Sequence, residues 1–250
     1  MPMFQGLCLP AHPWRNLCAA LCLLAYLPAS HGALTLSGTR VIFQGDKRSV
    51  SLTVANPSKA TYAVQTWINT AADDHHTPVP FIASPPLFRL GPGKEQHVQI
   101  SALPHQLPKD RESLFFFNAQ EIPQTDTSDG NKLTIALRSR IKFLYRPVEL
   151  SENPLDALQR LTWSVVATDN GPHLVVDNPT PFHMSFITLQ LQDKGRTHKI
   201  DDTTMAAPFS RQSYPLDSFA AGPDASVTFS VITDYGGFSK PLTQSLNANR

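Results

Sequence analysis

Residues 131–147 constrain the fold more tightly than any other stretch. Leu133, Ile135, Leu137, Ile141, Phe143 and Tyr145 fall on one parity, and Lys132, Arg138, Arg140, Lys142 and Arg146 fall on the other. Successive side chains of a β-strand point to opposite faces, so this is the pattern of a two-faced strand. It outlasts the usual strand of about 5 to 6 residues. One small sandwich core does not cover the whole apolar row, so part of the row meets something outside its own domain. An exposed apolar strand is an aggregation hazard, and a chain that keeps one uses it to pair with another chain.

The first 32 residues read as an export leader rather than as part of the fold. Arg15 precedes an apolar stretch over 17–27, Pro28 breaks it, and Ser30 and Gly32 are small residues at −3 and −1 of a cleavage site before Ala33. The stretch is too short to span a bilayer stably. Cys8, Cys18 and Cys22 all lie inside it, so the mature chain is expected to carry neither thiol nor disulfide in a disulfide-permissive compartment.

The remainder, about 218 of 250 residues, suits two sandwich domains of about 100 residues each. There are 22 prolines, charged residues are sparse, and no long segment has a helical period, which favours an all-β chain with proline-punctuated turns. Strand patterns recur over 34–43, 49–54, 63–69, 81–83, 97–102 and 114–122, then the long run, then 161–167, 173–176, 182–192 and 226–233. Asn56-Pro57-Ser58, Pro85-Pro86 and Gly91-Pro92-Gly93 supply turns. Arg146-Pro147 ends the long strand and 149–154 reads as a linker, which gives domains of 33–148 and 149–250.

No catalytic or cofactor chemistry emerges. Asp73-Asp74-His75-His76 is a polar loop tip rather than a metal site, because adjacent residues on an irregular segment do not converge on one ion. Gly-x-Ser-x-Gly is missing, and Gly236-Gly237 lacks the spacing and the following Lys of a phosphate loop. In Phe115, Phe116 and Phe117 alternate rings should enter the core, with the remaining ring covered by a neighbour or a partner. The net charge of +1 implies neither an acidic polymer nor a membrane surface as target, and the basic residues of the long strand form no stacking platform for nucleic acid.

Seven ordered segments together point to a family: Thr39 to Phe43, Asn56-Pro57, Pro85 to Gly93, Leu107 to Asn118, Ile141 to Pro147, Asn178-Pro179-Thr180-Pro181-Phe182, and Asp234-Tyr235-Gly236-Gly237. The chain resembles the periplasmic chaperones of the chaperone-usher pilus pathway over nearly its whole mature length. The resemblance implies two immunoglobulin-like domains in a boomerang, no enzymatic activity, no cofactor and no metal. Its implied partners are pilus (fimbrial) subunits and an outer-membrane usher, with no membrane insertion; such a strand can also pair with its own copy in the free chaperone. Leu133, Ile135 and Leu137 would be the donated row that fills a subunit's open groove. Arg40 and Lys142 would hold the subunit's C-terminal carboxylate, and Glu112, Arg146 and Asp234 would form an ionic cluster between domains. Where many members carry a disulfide in the second domain, this chain has none after its leader, and its short polar connection over 124–130 is similar to the short-loop branch that builds rod-like pili. The competing reading is an exported two-domain immunoglobulin-like adhesin or ligand-binding module, which would bind through sandwich-end loops and give the long strand no role.

Overall fold

The computed structural model describes residues 34–74, 76–123, 135–169, 171–216, 222 and 224–247. They form two β-sandwiches. In the first, a four-stranded sheet has β1 (Thr35–Leu36), β3 (Ser49–Ala55), β7 (Glu95–Ala102) and β5 (Phe81–Ser84) side by side. It faces a five-stranded sheet ordered β2 (Arg40–Gln44), β9 (Arg138–Arg146), β8 (Ser113–Pro123), β4 (Tyr62–Asn69) and β6 (Leu87–Leu90). The second sandwich pairs a three-stranded sheet, β10 (Thr162–Thr168), β11 (Gly171–Asn178) and β14 (Ser210–Pro215), with a four-stranded one. That last sheet is ordered β13 (Arg196–Lys199), β12 (Phe186–Asp193), β15 (Ser226–Val231) and β16 (Leu242–Ser245). Among the described residues a single 3-10 turn, Asp156–Arg160, precedes β10.

Each sandwich has its own core. Phe43, Phe81, Phe115 and Phe143 pack ring against ring in the first, with centroids as close as 4.7 Å. Trp163, Phe186 and Phe229 do so in the second. Phe115 and Phe117 enter the first core as their alternation predicts, and the outward ring of Phe116 is covered by the guanidinium of Arg140 at 3.8 Å.

An Asn-Pro turn does the same work in both halves. The amide of Asn56 donates to the carbonyls of Ala60, Leu90 and Gly91, and its oxygen accepts from Ser58. The amide of Asn178 donates to the carbonyls of Phe182 and Ala207, and its oxygen accepts from Thr180. Proline cannot donate, so the asparagine side chain supplies the bonds that hold these turns. In the second half this fixes Phe182 and His183 next to the first sandwich.

Two strand expectations need correction. The pattern over 34–43 is not one strand: β1 pairs with β3 in one sheet, and after Ser37-Gly38-Thr39 the chain crosses to pair as β2 with β9 in the other. The long run is also shorter as a strand than its alternation suggests. β9 begins at Arg138, although the amide of Glu121 still donates to the carbonyl of Leu137 at 3.0 Å. β8 itself continues past Gln120, the partner of Arg138, to Pro123, so residues 135–137 leave the regular ladder while β8 still runs beside them. Residues 131–134, Leu133 among them, lie outside the described residues.

Candidate functional site

β2 and β9 run parallel, and their register pairs Arg40 directly with Lys142, at the first rung of that ladder. Residues directly opposite in a ladder project to the same face, so the two cations stand together. Val41, Phe43, Phe143 and Tyr145 take the inner face and enter the core, which leaves Arg40, Lys142, Leu144 and Arg146 on the face turned to the second sandwich. One nitrogen of Arg40, Nη1, donates to the carbonyl of Ile232 at 3.1 Å, and Nζ of Lys142 donates to the hydroxyl of Ser185 at 3.0 Å. Neither contact neutralises a charge. Nε of Arg40 is buried with no hydrogen-bond partner among the described residues. Burial, reinforced by the neighbouring Arg40, holds the Lys142 ammonium below the usual lysine range. Burial also lowers the pKa of Arg40, against the opposing pull of Asp234 and Glu112. Two half-buried cations that repel one another and keep unused donors form a site for an anion, and a guanidinium beside an ammonium suits a carboxylate.

Glu112, Arg146 and Asp234 do come together. Arg146 donates from Nε and Nη2 to Oε1 of Glu112 at 2.9 and 2.7 Å. From Nη1 and Nη2 it donates to the Asp234 carboxylate at 2.7 and 3.0 Å. The other oxygen of Glu112 accepts from the amide of His183 at 2.8 Å, and the amide of Glu112 donates to the carbonyl of Pro181. Burial works against the Arg146 charge, but the bonds and charges of Asp234 and Glu112 outweigh it and raise the pKa further. Glu112 and Arg146 belong to the first sandwich while Asp234 and His183 belong to the second, so the cluster ties the halves. A cleft of ≈ 430 Å³ between them is lined by Arg40, Glu112, Arg146, His183, Asp234 and Tyr235. The turn carrying Asp234 approaches closely: Gly236 has φ +80°, and a Cβ there would lie 2.4 Å from Oγ1 of Thr39. Only glycine meets both demands.

The apolar row of 131–147 divides. Phe143 and Tyr145 are buried and Ile141 packs partly on the same core, whereas Ile135 is 63 % and Leu137 48 % exposed. Beyond Lys142 toward lower numbers, no described strand pairs with the edge of β9 that faces away from β8. Sequence reasoning missed Ser185, the Ile232 carbonyl and His183. The first two carry no sequence signal, whereas His183 directly follows the Asn178 to Phe182 motif.

Residues 33–151 match the family described as pili and flagellar-assembly chaperone, PapD N-terminal domain, and residues 156–242 match the pili assembly chaperone PapD, C-terminal domain. The chain belongs to the PapD pilus assembly chaperones. Among its relatives in this family, the probable fimbrial chaperone YadV of Escherichia coli K12 is 35% identical over 231 residues, 88% of this chain and 93% of that protein. A crystal structure of the YadV chaperone superimposes with a TM-score of 0.74 at 34% identity, over 85% of this chain and 99% of that one. The Salmonella enterica SafB chaperone, in complex with the SafA pilin, gives 0.73 at 28% identity, over 86% of this chain and 96% of that chain. PapD chaperones are not enzymes and work in the periplasm, which sets aside the adhesin or ligand-binding alternative. No helix among the described residues is long and apolar enough to cross a membrane.

Proposed function

We propose that this chaperone captures pilus subunits by lending them the exposed end of β9 and by holding their C-terminal carboxylate between Arg40 and Lys142, then passes them to an outer-membrane usher. The registered Arg40–Lys142 pair, at the rung where β2 leaves β9, carries the reading. Past that rung the lane beside β9 is open to a strand from another chain. A parallel strand in that lane would end at the rung with its carboxylate against the two cations, whereas an antiparallel one would present its ammonium there. Charge therefore selects the direction. Ile135 and Leu137, with Leu133 by the same alternation, would fill the subunit's groove. Each buried aliphatic side chain contributes roughly 1.5 to 3 kcal/mol before ordering costs. A slip of one residue would turn that row away, so the fixed carboxylate also defines register.

In the same reading the Glu112–Arg146–Asp234 cluster holds the two sandwiches in the geometry that keeps the anchor open, since a buried ion pair supplies geometry more dependably than stability. The short polar connection over 124–130 favours the rod-building branch of the family. The test is co-purification from periplasm with a pilus subunit encoded in the same genome. Arg40→Ala and Lys142→Ala should each abolish recovery of the complex while the chaperone stays folded. A normal yield from the double variant refutes the anchor.

A further inference from the structure

The loop after β4, read from sequence as a polar tip, is also tied to β9. The carboxylate of Asp73 accepts from Nη1 and Nη2 of Arg138 at 3.2 and 2.6 Å and lies 3.5 Å from Nε of Arg140. Arg140 donates to the carbonyl of Thr70 at 2.8 Å and lies flat on Phe116. The attachment has a buried root: Asn118, fully buried on β8, donates to Oδ1 of Asn69 at 3.0 Å, and Asn69 donates to Oδ1 of Asp73 at 2.8 Å. Asp73 itself adopts φ 57°, a left-handed conformation that Asp and Asn tolerate better than most residues.

These contacts fall on the part of β9 that has lost its neighbour on the β2 side. Arg138 and Arg140 pair with Gln120 and Asn118 of β8, while β2 reaches only to Lys142. A half-edged strand frays unless something else holds it. Here the hold is on the side chains of one parity, which also dictates where the other parity points.

We propose that Asp73 is a positioning residue for capture: by binding Arg138 and Arg140 to the chaperone's own sheet it keeps the end of β9 extended, with Leu137 and its row turned outward, before a subunit arrives. The proposal rests on the donated-strand reading above. Without the clip, the segment must be ordered at the moment of capture. Ordering one backbone residue changes a population by roughly a factor of 5 to 30, and only the ordered fraction is competent to bind.

The test compares the intact chaperone with its Asp73→Asn variant, which keeps the left-handed backbone and removes the charge. In free protein, hydrogen exchange should show protection of the β8-directed amides over 138–141 largely lost, with 142–146 unchanged and the thermal midpoint moved by less than about 2 °C. With a pilus subunit of the same genome released from denaturant, association should slow about fivefold and dissociation should stay as it was. Retained protection, an unchanged association rate, or a loss that appears as faster dissociation overturns the proposal. Wild-type chaperone that fails to capture the subunit overturns the donated-strand reading and this proposal together; wild-type capture matched by Asp73→Asn overturns this proposal alone.

Discussion

The ionic cluster makes a quantitative prediction because its three members differ in burial. The Glu112 side chain is 1% exposed, Arg146 7% and Asp234 32%. Arg146→Met removes four charge-assisted bonds and leaves the Glu112 carboxylate buried, held only by its contacts to His183. Breaking a buried pair from one side costs about 3 to 5 kcal/mol, chiefly because the remaining charge is uncompensated. Asp234→Ala removes two bonds at a site water already reaches, and should cost about 1 to 2 kcal/mol after screening. With a urea slope of about 2 kcal/mol/M, Arg146→Met should lower the unfolding midpoint by about 1.5 to 2.5 M.

The decisive variant is the double one. Glu112→Gln keeps an oxygen to accept from the His183 amide but removes the charge, so adding it to Arg146→Met should restore about 2 kcal/mol rather than cost more. Urea unfolding followed by tryptophan fluorescence reads all of these, since Trp67 and Trp163 report on the two sandwiches separately. Two results would refute the reasoning: Arg146→Met milder than Asp234→Ala, or a double variant as unstable as the sum of its parts.

The divided row and the anchor supply further tests. Ile135→Glu and Leu137→Glu should weaken subunit capture by several kcal/mol, since each adds a buried charge to lost apolar burial, yet shift the thermal midpoint of free chaperone by less than about 2 °C; Phe143→Ala, in the core, should cost about 3 to 5 kcal/mol of stability. For Lys142 the folded pKa is depressed by burial and then by Arg40. Between that value and the ordinary one the unfolded chain binds more protons, so stability should rise with pH through the window. Capture of a carboxylate should fall across the same window as the ammonium is lost. Lys142→Met should flatten the stability slope, and parallel slopes for stability and complex yield would refute the assignment.

Much of the first sandwich was legible because its inner strands alternate between core and solvent. What escaped were edge strands with one buried face and few apolar residues. β14 has the sequence Ser-Arg-Gln-Ser-Tyr-Pro, in which only Tyr214 is buried, and β6 is four residues between prolines and glycines. The split of 34–43 had a signal that goes unused in a simple strand pattern: Leu34 and Leu36 lie on even positions, Val41 and Phe43 on odd ones, and such a change of parity cannot occur within one unbroken strand. Arg40 and Lys142 came from motif resemblance alone. Their pairing depends on a parallel register between segments about 100 residues apart, which no local pattern encodes. Asp73 was hidden for the same reason, since nothing near it in sequence announces Arg138.

The alternation that constrains the fold also separates the tasks of β9. On one parity, Tyr145 and Phe143 complete the chaperone's own core, Ile141 lies at its rim, and Leu137 and Ile135 project beyond it. On the other parity, Arg146 joins the halves, Lys142 stands beside Arg40, and Arg140 and Arg138 fasten the strand to the loop after β4. One face therefore grades from buried to exposed along its length, while the other is bonded to the chaperone itself. Because the two sets interleave residue by residue, neither shifts register without the other. An apolar strand with no such polar counterpart would be free to slide or to aggregate; here Arg138 and Arg140, each bonded to the chaperone's own β4 loop, follow directly on the exposed Leu137.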